Sequence, residues 1–312
     1  MELIRLENVS KCFELNKDDD LWAVNDVSFT IHSGESLGLV GESGCGKSTL
    51  SKCILNLRPL TSGKIYFHGK EISQYNSRQM KAVRQQMQCV FQNNLDSFNP
   101  YFTVRKILQE PLRNYGMKEK DNDEYLASVL EQVGLDGTYL GRFPGELSGG
   151  QCQRVGIARA LILEPEFIIC DEAVSNLDYS VRNKILHLFQ ELKTKNNLTY
   201  LFISHDLSAV RQVCDRVIVM YKGEIMEIIS DFREEKVHHP YTKALLAAAL
   251  TTDPRKRDTN RVLLKKEEDL FIPKEGCVLQ NRCMYATEHC RKQKPQLTHI
   301  GDGDYAACHY LL

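Results

Sequence analysis

The sequence has no uninterrupted apolar run near the ~18 residues that a membrane-spanning helix needs. It also lacks an excess of charge of either sign. Its 40 lysines and arginines stand against 41 aspartates and glutamates, a formal net charge of −1. That balance excludes a basic, polyanion-binding protein as a whole-chain reading, while leaving room for a local basic patch. There is no internal repeat and no low-complexity tract, which excludes solenoid and fibrous architectures. The opening Met1-Glu2-Leu3-Ile4-Arg5-Leu6-Glu7 carries charges and alternates, so it reads as a strand rather than as the apolar core of a secretory leader. A cytosolic chain is expected, with any membrane role exercised through a partner. What remains is ordinary globular composition, 42% hydrophobic and 26% charged over 312 residues, enough for a sizeable core.

The first 70 residues read as β-rich. Ile4–Val9 and Val27–Ile31 alternate with period two, and the second run ends in the turn His32-Ser33-Gly34. The acidic run from Asn16 to Asp20 reads as a solvated loop. His68-Gly69, between Lys64–Phe67 and Glu71-Ile72, is a hairpin signal. Val104–Leu108 and Tyr125–Val133 have helical spacing, within a helical insertion spanning residues 103–165. Three short apolar runs follow, Phe167–Cys170, Thr199–Ile203 and Val217–Met220, and helical patterns separate the first two. Such runs predict buried parallel strands. Tyr221-Lys222-Gly223-Glu224 predicts a hairpin turn, and the polar residues 253–275 predict a linker into a cysteine-bearing tail.

Gly41-Glu42-Ser43-Gly44-Cys45-Gly46-Lys47-Ser48 fits G-x-x-x-x-G-K-[ST]. Glycines let such a loop fold into a nest of inward-pointing N–H groups that suits phosphate oxygens. Lys47 adds a point charge, and the Ser48 hydroxyl suits Mg²⁺. The apolar strand Leu37–Val40 precedes the loop, and a helix beginning near Thr49 would aim its positive end at the same anion. Cys45, beside Lys47, is either a thiol with a lowered pKa or a plain spacer.

Phe167–Cys170 ends in Asp171 and Glu172, whose side chains leave a strand in different directions. Asp171 suits the Mg²⁺ shell and Glu172 a base that polarises the attacking water. His205 follows another apolar strand, at the end where parallel sheets bind ligands. Leu147-Ser148-Gly149-Gly150-Gln151 opens a helix with free N–H groups, a second phosphate-binding terminus.

Together these residues resemble the nucleotide-binding subunit of ATP-binding cassette (ABC) transporters. The ordered set is complete: the loop at Gly41, Gln92 after Met87–Phe91, Leu147–Gln151, Asp171-Glu172, Ser175-Asn176-Leu177-Asp178 and His205. The resemblance implies an α/β P-loop NTPase fold, a mixed-sheet core with an antiparallel β-subdomain and a helical subdomain at about residues 93–165. Residues 1–235 would form this cassette and residues 236–312 a small extension. It implies ATP on Gly41 through Thr49 with Phe13 stacked on adenine, Trp22 being the weaker candidate for that ring. It implies Mg²⁺ on Ser48, Gln92 and Asp171, with Glu172, His205 and Gln92 serving hydrolysis. Leu147 to Gln151 would reach the ATP of the opposite subunit, and Asp178 would lie against the dimer partner.

A narrower resemblance is to the oligopeptide/dipeptide importer branch, most of all to the second of its two ATPase subunits. It rests on Gly150 to Leu161, Ser97-Phe98-Asn99-Pro100, His239 to Leu246 and the cysteine tail. It implies a second, similar ATPase chain, two membrane permeases, a solute-binding protein and a peripheral place on the cytoplasmic face of the membrane, with no nucleic-acid partner. A nickel or other metal-chelate importer uses very similar chains and stays open, and a soluble ABC ATPase outside transport is the remote alternative. Three departures stand out: Ala173 where proline is usual, Asn176 where alanine is usual, and Asn93-Asn94 in place of Asp-Pro.

Of eleven cysteines, Cys277, Cys283, Cys290 and Cys308 crowd the tail. Four thiolates suit zinc or an iron–sulfur cluster, and the absence of a short C-x-x-C weakens the zinc-ribbon reading. In some related importers a similar tail holds a [4Fe–4S] cluster; unliganded thiols are the plain alternative. His238-His239 read as residues starting a helix at Pro240 rather than as metal ligands.

Overall fold

The computed structural model describes residues 1–16, 19–92, 97–230, 232–233, 236–249, 264–265, 273 and 275–312. Asn93-Asn94 and most of the expected linker at 253–275 lie outside the described residues. In chain order the elements are β1 (Glu2–Asn16), β2 (Asp19–His32), β3 (Ser36–Val40), α1 (Lys47–Ile54), β4 (Ser62–Phe67), β5 (Lys70–Glu71), α2 (Ser77–Gln86) and β6 (Met87–Val90). Then come α3 (Val104–Tyr115), α4 (Asp123–Gln132), α5 (Gly149–Leu161), β7 (Phe167–Asp171), α6 (Tyr179–Asn196), β8 (Thr199–Ile203), α7 (Leu207–Val213), β9 (Arg216–Tyr221) and β10 (Glu224–Ile229). The C-terminal region holds α8 (Pro240–Ala249), α9 (Glu288–Lys292), β11 (Thr298–Gly301) and β12 (Asp304–Ala306). Among the described residues no helix is long and apolar enough to cross a membrane.

The chain divides into two compact units. The first comprises Met1–Ile4, Ile31–Ser36 and Tyr66–Ile203. Its centre is the parallel set β6, β7 and β8, with Met87 opposite Phe167 and Phe167 opposite Thr199. Phe167, Ile168, Ile169 and Cys170 are buried, as are all five residues of β8, which is why these strands read as unbroken apolar runs. Phe189 of α6 meets Tyr200 and Phe202 edge-on, with ring centroids 5.5 and 5.8 Å away. The span predicted as helical carries α3, capped by Thr103 and ended by left-handed Gly116, then α4, capped by Asn122, then α5.

The second unit comprises Arg5–Thr30, Leu37–Ile65 and Ser204–Leu312. Here β3 runs parallel to β9, Leu39 opposite Ile218. The expected hairpin joins β9 to β10 antiparallel, and both Lys222 and Gly223 have positive φ, as the tight primed turn demands. Strand β12 then pairs with the far edge of β10, Glu227 opposite Ala306, and β11 pairs with β12. The C-terminal region is thereby sewn into a sheet that also carries β3, a pairing its short polar strands did not announce.

One expectation is corrected. The acidic run reads as a solvated loop, but Asn16 belongs to β1 and Asp19 and Asp20 to β2, while residues 17–18 lie outside the described residues.

Candidate nucleotide site

The loop Gly41–Ser48 leaves the fully buried strand β3 and turns into α1. Its glycines are dictated by space. A Cβ on Gly46 (φ +106°) would lie 1.9 Å from the Ala23 carbonyl oxygen, and one on Gly41 would lie 2.2 Å from that of Met220. Gly46 is also the residue before the first turn of α1 and offers no capping side chain, so that helix end keeps its amide dipoles for a ligand. Lys47 is buried, and its Nζ donates to the carbonyls of Gly41 (2.8 Å) and Glu42 (2.9 Å). The loop thus wraps its own cation, while Ser43, Gly44 and Ser48 are exposed.

Cys45 is not an activated thiol. Burial pushes its pKa up, and the nearby Lys47 pulls it down without winning.

Glu42 has partners the sequence did not disclose. Arg282 grips its carboxylate with two bonds, Nη1 to Oε2 at 2.7 Å and Nη2 to Oε1 at 3.0 Å. The Glu42 N–H donates to the Tyr241 hydroxyl at 3.1 Å, and the Tyr241 and Tyr221 rings pack with centroids 4.8 Å apart. Arg282 lies 240 residues from Glu42 in sequence, so no local pattern could have paired them.

In the first unit, Asp171 ends β7 opposite Ile203, the last residue of β8. Glu172 is then held at φ +50°, a left-handed conformation uncommon outside glycine. Its N–H donates to the Ile203 carbonyl (2.9 Å), and its own carbonyl accepts from the Ser175 hydroxyl (3.0 Å). These bonds fix an unfavourable backbone; local strain of this kind costs about 1–3 kcal/mol and clusters at functional sites. Gln92 is exposed two residues past Val90, which is paired with Cys170, so it shares this carboxyl end of the parallel strands. In the second unit, His205, two residues past β8 in the chain, is exposed, and the next residue, Asp206, caps α7 through Ser208 and Ala209.

Ser148 is the N-cap of α5, its hydroxyl accepting from the Gln151 N–H while the Gln151 side chain accepts from the Ser148 N–H. Ser148 and Gly149 are exposed, whereas Gly150 lets α5 approach α6: a Cβ there would fall 2.5 Å from Val181 Cγ1. Asp178 caps α6 by accepting from the N–H of that same Val181 at 3.0 Å, and the bonds from Val181 and Ser180 hold its pKa below the usual carboxylate range. The fold therefore brings Leu147–Gln151 and Asp178 together. Phe13 is half-buried with Lys11 Nζ 5.2 Å from its ring centroid, and Trp22 is exposed.

Cys277, Cys283, Cys290 and Cys308 line one cavity of about 20 Å³, with His239 and Pro240 also in its wall. Burial, then mutual repulsion among the thiols, pushes Cys277 up to about 12 and contributes to Cys308 at about 11. The donor chemistry fits a metal group, but the spacing does not. Among the described residues, no three His, Cys, Asp or Glu side chains stand close enough to hold one ion, and a void of this size takes about one water-sized particle. His238 and His239 stand immediately before a helix, as expected: Pro240 is the first residue of α8, and buried His239 Nδ1 accepts the Tyr241 N–H at 3.0 Å.

A family described as "ABC transporter" matches residues 24–175, and one described as "Oligopeptide/dipeptide transporter, C-terminal region" matches residues 228–290. The oligopeptide transport ATP-binding protein OppF of Haemophilus influenzae is 41% identical over 98% of this chain and 96% of its own. The oligopeptide transport ATP-binding protein AppF of Bacillus subtilis is 42% identical over 98% of this chain and 97% of its own. A dimeric ATP-binding cassette solved in a post-hydrolysis state with ADP and Pi bound superposes with a TM-score of 0.65 at 27% identity, covering 73% of this chain and 98% of that one.

Proposed function

The chain belongs to the ATP-binding proteins of ABC oligopeptide transport, and from that premise we propose how its residues divide the work. It is the ATPase subunit of an oligopeptide or dipeptide import system, hydrolysing ATP to drive transport. The observation that carries this is the near full-length agreement with such proteins, which includes the C-terminal region as well as the cassette.

Residues 1–235 act as the cassette, with a helical subdomain at about 93–165, and residues 236–312 as the extension. Gly41 through Thr49 hold the triphosphate, Lys47 leaving the loop carbonyls for phosphate oxygens, and Phe13 stacks on adenine. Ser48, Gln92 and Asp171 offer the oxygen donors that a hard divalent cation prefers. Mg²⁺ held there would supply positive charge against the negative charge that develops during phosphoryl transfer. Glu172, fixed by its left-handed backbone, takes the proton of the attacking water, and His205 contacts the γ-phosphate. The exposed N-terminus of α5, Leu147 to Gln151, serves the ATP of the partner subunit, with Asp178 beside it at the dimer surface.

The partner is a second, similar ATPase chain. The pair docks on two permeases at the cytoplasmic face of the membrane, and these receive peptide from a solute-binding protein. For the tail, Cys277, Cys283, Cys290 and Cys308 share one cavity, but their spacing does not fit a [4Fe–4S] cluster or zinc, so the reading is unliganded thiols; iron, sulfide and zinc analysis of anaerobically purified protein tests it.

The functional test is uptake in cells lacking this chain, with a labelled short peptide and labelled nickel side by side. Loss of peptide uptake with nickel uptake intact is expected. Loss of nickel uptake alone would transfer the chain to metal import.

A further inference from the structure

The C-terminal extension reaches into the phosphate-binding loop from two sides. On one side, Arg282, the residue before Cys283, forks onto Glu42, and the Tyr241 hydroxyl of α8 accepts the Glu42 N–H. On the other side, Lys294 bonds Glu224 (2.7 Å), and the Asn25 side chain bonds the same carboxylate oxygen (2.6 Å). The Asn25 N–H donates to the Gly223 carbonyl (2.9 Å), and the Gly223 N–H donates to the Cys45 carbonyl (2.9 Å). Both Glu42 and Cys45 are therefore tied to the region that bears the four thiols, and β12 anchors that region in register on β10.

The loop's task is to attract an anion, yet it carries a carboxylate at Glu42. Left to itself, that charge would oppose a triphosphate bound in the same loop. Arg282 cancels it with a bidentate pair, the strongest arrangement for guanidinium and carboxylate, and turns both carboxylate oxygens toward the extension. Arg282 is itself held: Nη1 donates to the Tyr221 hydroxyl at 3.4 Å, and the guanidinium lies 5.6 Å from that ring's centroid.

We propose that Arg282 is a positioning residue for ATP: by neutralising and orienting Glu42 it keeps the phosphate-binding loop receptive, and so couples the fold of the four-thiol extension to nucleotide affinity. The inference rests on the reading that Gly41–Thr49 hold ATP.

The test is equilibrium binding of a fluorescent ATP analogue to the full-length chain, in the wild type and in R282Q, E42Q, E42Q/R282Q and K47A. R282Q should weaken binding about three- to tenfold, the range for a charge-assisted pair partly screened by solvent. In the Glu42→Gln background the same substitution should cost nothing further, because no carboxylate remains to neutralise. In the assembled transporter, R282Q should raise KM for ATP and leave kcat at saturating ATP unchanged. Wild-type affinity in R282Q, an equal loss with and without Glu42, or a fall in kcat would each overturn the proposal. If R282Q does not fold, R282K keeps the charge and loses the fork: a roughly two- to threefold rise in KM at an unchanged melting temperature supports the proposal, and a wild-type KM overturns it. K47A separates the premises. Lost binding in K47A with normal binding in R282Q refutes only the role of Arg282; normal binding in K47A refutes the assignment of the loop.

Discussion

Acidification should weaken this protein through one buried histidine. His239 precedes α8, and its Nδ1 accepts the Tyr241 N–H, so the ring acts as a helix cap only while Nδ1 carries no proton. Burial lowers its pKa from 6.5 to about 4. The folded state thus keeps His239 neutral where the unfolded chain has already taken up a proton. The unfolded state binds more protons between those two values, so stability falls as pH drops through that window. From pH 7.5 to pH 5 the linkage cost from this residue alone is about 2 kcal/mol.

Glu227 on β10 accepts the N–H groups of both His238 and His239, and burial raises its pKa. Its protonation shifts stability in the opposite direction, so the total pH dependence does not isolate His239. His239→Asn does, because asparagine offers a capping oxygen and does not titrate. Urea unfolding of full-length wild type and H239N at pH 7.5 and pH 5 is the assay. The wild type should lose about 2 kcal/mol more than H239N between the two pH values. Equal losses in the two proteins would show that His239 is not the source of the acid sensitivity.

Gly46→Ala should abolish ATP binding and cost at least about 2 kcal/mol of stability, because a Cβ would sit 1.9 Å from a backbone oxygen at a left-handed φ; nucleotide titration and thermal unfolding read both. Ser148→Ala removes the acceptor for the Gln151 N–H and should cost about 1 kcal/mol, read as a lowered urea midpoint at unchanged slope. Gly150→Val should lower hydrolysis in the assembled transporter and destabilise the isolated chain, since the new side chain drives α5 off Val181; melting temperature and ATP turnover together check it.

Much of the cassette was legible because its chemistry is local. Gly41–Ser48 needs glycines where the loop runs against Ala23 and Met220, and that need is written as a motif. His68-Gly69 and Lys222-Gly223 announce turns because both residues of each must take positive φ. Strands β7 and β8 show as apolar runs because both faces are covered. What stayed hidden is non-local or conformational. The left-handed φ of Glu172 is imposed by bonds to Ile203 and Ser175, and no pattern in Cys170-Asp171-Glu172 foretells it. Strands β11 and β12 are too short and polar for periodicity to register, and they exist because β10 offers an edge. The reach of Arg282 to Glu42 is a product of that same docking, invisible between two positions 240 residues apart.

The most direct measurement of the central claim is ATP turnover and peptide import in the same reconstituted vesicles, with wild-type chain or Glu172→Gln. E172Q should bind ATP as tightly as wild type, hydrolysis should fall by about 10²- to 10⁴-fold, and peptide import should stop with it. Turnover within about twofold of wild type would remove Glu172 as the base. Import persisting without hydrolysis would contradict the claim that this chain's ATPase drives transport.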